Sequence, residues 1–236
     1  MAKDNLYQNN DAQKNIAATW GESVLSFSDL TFYYHENKPI LKEANSNIRR
    51  GQKLTLMGQN GAGKSTLFSL ITGENKVIDG KIIIGNNLKI SLAKQFIPQD
   101  KWEKTVREFL EEAFEEKVYD IDKRAEEVFG IINLHSIHKS KDVKTKKDEA
   151  LNLLNKKIKE LSGGQKGKLL IAQALIAKPD ILLLDEPTNN LDKEAVKMLT
   201  EFMKNYEGTA IVISHDENFL NSFTHGILYV NTQNQK

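Results

Sequence analysis

The chain has 236 residues, a formal net charge of +1, 39% hydrophobic and 28% charged residues, and no cysteine. That length suits one large α/β domain, or a core with a smaller helical subdomain, and a core of that size folds without staples. Lack of cysteine excludes disulfides and thiolate metal sites and suits a reducing compartment.

Residues 1–20 are polar and lack clear periodicity, which predicts a mobile tail or a short helix, and 1–22 is taken as a flexible N-terminal tail. Met1-Ala2-Lys3-Asp4-Asn5 opens no hydrophobic signal stretch. No apolar run approaches the roughly 20 residues of a membrane helix. The expectation is a soluble, cytoplasmic protein with no transmembrane segment of its own. Alternation in Val24–Ser28 and Thr31–Tyr34 predicts a strand pair, continued by Ile40-Leu41 and Ala44–Ile48 as an antiparallel sheet. Leu54–Met57 reads as a strand, and a helix runs on to Thr72-Gly73. A hairpin is expected from Lys81–Ile84 and Leu88–Leu92 about Gly85-Asn86-Asn87.

Residues 104–160 read as mostly helical, with Val106, Phe109, Leu110, Ala113 and Phe114 on one face and a second helix from Asp122 to Ile132. Residues 135–150 lack apolar periodicity and read as an exposed loop. The remainder alternates regularly: helix 164–177, strand 181–184, helix 193–205, strand 210–213, helix 216–223 and strand 226–230. No internal repeat occurs, which excludes solenoids. Charge is uneven, acid-rich over 103–127 and lysine-rich over 139–159. Two solvated faces explain this most simply; a basic patch for RNA or anionic lipid is the alternative.

Chemistry concentrates in three stretches. Gly58-Gln59-Asn60-Gly61-Ala62-Gly63-Lys64-Ser65-Thr66 lies between a strand and a helix, the context of a phosphate-binding loop. Its glycines free the backbone N–H groups to converge on an anion at the positive end of the helix. Lys64 suits the β- and γ-phosphates, and the Ser65 hydroxyl suits Mg²⁺. The loop predicts a nucleoside triphosphate site. Ile181–Leu184 runs straight into Asp185-Glu186, which predicts a buried strand delivering two carboxylates to the ligand-binding edge of a sheet. Asp185 is placed to hold Mg²⁺ and Glu186 to act as general base on water. Leu161-Ser162-Gly163-Gly164-Gln165 opens a helix; by itself it reads as a backbone anion nest or as a plain N-cap.

From about Val24 to Val230 the chain resembles the nucleotide-binding domain of ATP-binding cassette (ABC) proteins. Gly58–Thr66 looks like Walker A, Ile181–Glu186 like Walker B, and Leu161–Gln165 like the family signature. The resemblance implies a P-loop core with a mostly parallel sheet, an antiparallel β subdomain on the N-terminal side, and a helical signature subdomain at about 103–177. All of these lie in one domain over 23–236. It also implies a head-to-tail dimer with a second nucleotide-binding domain. ATP then lies between one chain's Walker A (Gly58, Asn60, Gly61, Ala62, Gly63, Lys64, Ser65, Thr66) and the other's Ser162, Gly163, Gly164 and Gln165.

Further roles follow from the same resemblance. Asp192, in Asn190-Leu191-Asp192, resembles the D-loop that crosses to the other site, and His215 resembles the switch histidine at the γ-phosphate. Lys64, Glu186 and His215 form the implied catalytic set, with Ser65, Gln95 and Asp185 at Mg²⁺. Tyr34 resembles the adenine-stacking aromatic, with Tyr33 as alternative; Gln95 resembles the Q-loop glutamine, with Gln99 as alternative. Lys168 stands where the family usually has arginine, Gln173 where arginine is common, and neither is expected to do chemistry. Ser214-His215-Asp216 cannot be a hydrolase triad, since consecutive residues cannot converge.

Asp185–Asp192, Tyr206–Thr209, Ser214–Leu220, Thr105–Glu108 and the short hairpin 81–92 resemble the soluble ABC-F branch. That implies possible action on the ribosome and rRNA. The alternative, which a single domain of this length also suits, is the ATP-binding subunit of an ABC membrane transporter, whose partner is a membrane-domain chain.

Overall fold

The computed structural model describes residues 21–35, 38–134 and 143–230. These form two compact units. The first contains β1 (Ser23–His35), β2 (Lys38–Arg49), β4 (Asp79–Ile84) and α1 (Lys64–Ile71). The second contains β3 (Lys53–Met57), β5 (Ile90–Ala93), β6 (Ile181–Asp185), β7 (Thr209–Ile213), β8 (Gly226–Tyr229) and six helices among the described residues. These helices are α2 (Val106–Glu111), α3 (Ile121–Ile131), α4 (Val143–Leu154), α5 (Gly163–Ile176), α6 (Lys193–Asn205) and α7 (Glu217–Asn221).

In the first unit β1 is the central strand, antiparallel to β2 on one side and β4 on the other. The expected strand pair is thus one long strand. Alternation breaks at Asp29, whose backbone is left-handed (φ 51°); β2 carries a like residue, Glu43 (φ 49°), whose N–H donates to Thr31 Oγ1 at 3.0 Å. Asn45 holds this irregularity, accepting from Asp29 N at 3.0 Å and donating to Asp29 Oδ1 at 3.0 Å and Glu43 O at 2.9 Å. The bulge changes which residues face inward, so Leu25 and Phe27 before it and Leu30 and Phe32 after it are all buried.

The second unit has an all-parallel sheet in the order β5-β6-β7-β3-β8. Ile181 to Leu184 are fully buried and every residue of β7 is buried, as an unbroken apolar run in a parallel sheet requires. Each such side chain contributes about 2 kcal/mol of burial. One core joins the sheet to the helices through Phe109, Phe129, Leu154, Leu175, Leu182 and Phe219. Because all five strands run the same way, their carboxyl ends share one edge, and the chain leaves that edge at Gly58, Lys94, Glu186 and Ser214.

Two expectations are corrected here. Residues 81–92 are not a hairpin: β4 pairs with β1, whereas β5 pairs parallel with β6 in the other sheet. The turn exists, with Leu88 N donating to Gly85 O at 3.4 Å. Past it, Lys89 is captured by Asp180, donating to its carboxylate at 2.8 Å and accepting from Asp180 N at 2.8 Å. The second correction concerns 135–150. Residues 143–150 belong to α4, whose Ala150, Leu153 and Leu154 are buried at helical spacing; 135–142 lie outside the described residues, as does the tail 1–20. Thr105–Glu108 is a capping box at the start of α2.

Candidate nucleotide-binding and catalytic site

The phosphate loop follows β3 directly and ends in α1. Gly63, the N-cap of α1, has φ 96°, and a Cβ there would meet Ile40 Cγ2 at 2.3 Å, so only glycine fits. No side chain caps this helix, and an uncapped helix N-terminus suits an anion. Lys64 folds back over the loop, its Nζ donating to Gly58 O at 2.8 Å and Gln59 O at 3.2 Å. An ammonium has three donors, so this anchorage leaves one for a phosphate oxygen. Ser65 is exposed. Tyr34 stands at the end of the loop, its hydroxyl 3.3 Å from Thr66 Oγ1 and accepting from Asn75 at 3.4 Å, its ring edge-on to Phe32. Tyr33 points to the other face of β1, so Tyr34 is the tyrosine of the two that accompanies the loop.

In the second unit Asp185 ends β6 and Glu186 follows in the left-handed region (φ 52°). That conformation costs a non-glycine residue about 1–2 kcal/mol. It is held by Glu186 N donating to Ile213 O at 2.8 Å. The Glu186 carboxylate accepts from His215 N at 3.3 Å and lies 3.4 Å from His215 Nε2. Its side chain is 9% exposed, against 76% for His215. The result is a sheltered carboxylate steered by an exposed imidazole. Gln95 is exposed two residues past β5, while Gln99 opens a 3₁₀ turn at 99–101.

The signature stretch caps its own helix. Ser162 Oγ accepts from Gln165 N at 3.2 Å, and Gln165 Oε1 accepts from Ser162 N at 3.0 Å. The plain capping role is therefore present, and Ser162 keeps its hydroxyl proton for a ligand. Gly164 packs close to the loop after β6, where a Cβ would stand 3.1 Å from Asn190 O. Asp192 caps α6, accepting from Ala195 N at 2.8 Å, and its other oxygen meets Lys168 Nζ at 2.8 Å. The Lys168 hydrogen bond first, and the Ala195 N–H second, hold the Asp192 carboxyl below the usual carboxylate range.

Lys168 is 8% exposed and also donates to Asn133 O at 3.1 Å. It ties the signature helix to the loop carrying Asp192, a role the sequence reading did not assign. The available signal was a lone charge on the buried face of an otherwise apolar helix. Gln173 donates to Phe109 O at 2.6 Å. Lys157 and Lys159 are both bound by Glu103, at 3.0 and 2.8 Å, which neutralises part of the lysine-rich stretch.

Among the described residues no three His, Cys, Asp or Glu side chains converge on a metal position. Mg²⁺ takes most of its ligands from phosphates and water, so its binding does not require such a cluster. The loop and the Glu186–His215 pair belong to different units.

The family model described as ABC transporter matches residues 41–189. The chain belongs to the ABC family. It is an ABC-type ATPase domain and resembles the ABC-F branch. It is 32% identical over 217 residues to ABC transporter F family member 5 of Arabidopsis thaliana, covering 90% of this chain and 28% of that protein. It is 37% identical over 211 residues to the energy-dependent translational throttle protein EttA of Haemophilus influenzae, covering 80% of this chain and 38% of that one. This ABC domain thus spans about a third of the length of those relatives. Among solved structures, an ATP-binding subunit of an ABC transporter superposes with TM-score 0.72 at 20% identity, over 89% of this chain and 86% of that one. That likeness concerns the fold. No helix among the described residues is long and apolar enough to cross a membrane.

Proposed function

We propose that this chain binds Mg-ATP at Gly58–Thr66 and hydrolyses it as a head-to-tail dimer with a second nucleotide-binding domain, itself or another chain. The observation that carries the reading is the Glu186–His215 pair at the carboxyl edge of the parallel sheet. A carboxylate sheltered from solvent, oriented by a backbone N–H and beside an imidazole, can take a proton from water aligned on the γ-phosphate. His215 is exposed enough to meet the nucleotide. Lys64 and the N-terminus of α1 hold the triphosphate, and Tyr34 stacks on the adenine. Ser65, Asp185 and Gln95 would hold Mg²⁺, which when bound would neutralise charge on the phosphates. Ser162 and Gly163–Gln165 reach the partner's nucleotide. Asp192 fixes its loop through both carboxylate oxygens and, still exposed and with lone pairs to spare, takes part in the other chain's site.

Removing the base should trap the closed form. Glu186→Gln is expected to form a dimer on gel filtration in Mg-ATP where the wild type is monomeric; a monomer for both defeats the sandwich mechanism.

The resemblance to EttA, a translational throttle by name, supports action on the ribosome. The test is pelleting Glu186→Gln protein with ribosomes in Mg-ATP. Co-sedimentation that Lys64→Ala abolishes supports that role; absence of binding favours service to a membrane-domain subunit.

A further inference from the structure

Trp102 joins the segment after Gln95 to the approach to Ser162 by three separate contacts. Its indole N–H donates to Ile97 O at 3.1 Å, two residues past Gln95. Its ring lies under Lys166 Nζ, 3.9 Å from the centroid, and Lys166 directly follows Gln165. A cation at that distance from an indole face is held electrostatically. The Trp102 carbonyl accepts from Lys159 N at 3.0 Å, and Ile158 N donates to Lys104 O at 3.0 Å. Residues 102–104 are thereby paired with the backbone that runs into Leu161 and Ser162. Trp102 itself is only partly buried and packs on the rim of the core. Its contacts therefore do more to connect two loops than to fill the interior.

We propose that Trp102 is a positioning residue that makes the Gln95 segment and the signature turn move together. The inference rests on the reading above, in which Gln95 meets Mg-ATP held by its own chain and Ser162 serves the partner's nucleotide. In that reading Trp102 carries the state of the chain's own site to Ser162.

The test uses the whole chain carrying Trp20→Phe, which leaves Trp102 as the single tryptophan. Mg-ATP should shift its emission, and Gln95→Ala should remove the shift at a Mg-ATP concentration raised until equilibrium dialysis shows the site filled. Bound Mg-ATP without a shift, or a shift that survives Gln95→Ala, overturns the proposal. In a second arm, Trp102→Phe is placed in the Glu186→Gln protein, keeping a ring beneath Lys166 but losing the donor to Ile97 O. The Mg-ATP concentration for half-maximal dimerisation should rise about fivefold, the effect of one hydrogen bond. Nucleotide affinity of the monomer should be unchanged. An unchanged dimerisation curve overturns the relay. If Glu186→Gln alone stays monomeric, the dimer reading fails, and the emission of Trp102 decides the relay by itself.

Discussion

Two glycine-containing turns open helices in this molecule, and they treat the helix N-terminus in opposite ways. At Gly58–Thr66 no side chain caps α1, and Lys64 is anchored to the loop's own carbonyls. At Leu161–Gln165 a reciprocal capping box closes α5 on itself. The first turn has no side-chain cap to compete with an anion, which suits the proposed phosphate site. The second has its Ser162 and Gln165 N–H groups already satisfied, which leaves the Ser162 proton, the first N–H groups of the helix and its dipole to offer, as suits a surface proposed to engage a nucleotide held by another chain.

The deepest break in that contrast comes from chemistry. Glu186→Gln should lower kcat for ATP about 10²- to 10⁴-fold with Mg-ATP binding intact, as read by turnover and dialysis. Next, Lys64→Ala should weaken Mg-ATP binding about a hundredfold, since charge-assisted contacts to phosphate are lost; calorimetric titration measures it, and unchanged affinity would place the nucleotide elsewhere.

The capping box supplies a sharper comparison. Ser162→Ala should cost about 1 kcal/mol of stability through the lost cap and also slow turnover. Ser162→Asp retains a capping oxygen but sets a negative charge toward the partner's phosphate. Urea unfolding should find Ser162→Asp near wild type, while gel filtration in the Glu186→Gln background finds no ATP-driven dimer. Dimerisation of Ser162→Asp would confine that residue to capping.

The smallest effect concerns Asp192. Its folded pKa is depressed by Lys168 and by Ala195 N–H. The stabilisation is therefore present above the unfolded value of about 3.9 and is lost as pH falls through the folded one. Asp192→Asn should be less stable than wild type at pH 7, by less than about 1 kcal/mol given the exposure of the carboxylate. The two unfolding curves should converge on acidification below that range.

Local sequence determined the phosphate loop, the buried strand ending in Asp185-Glu186, the helix behind Ser162 and the parallel part of the sheet. Each is written in neighbouring residues: glycine where a Cβ would clash, an uninterrupted apolar run, a capping serine three residues before glutamine. Tertiary structure decided what those signals cannot carry. Alternation in 81–92 announces two strands without naming their partners, and it is Asp180 that draws Lys89 into the parallel sheet. A bulge at Asp29 makes one strand look like two, because its partner Asn45 lies 16 residues away. The ties of Lys168 to Asp192 and of Trp102 to Ile97 and Lys166 are likewise invisible to periodicity. Hydrogen bonds and ion pairs between distant segments follow from how helices pack on the sheet, and only packing brings those partners within reach.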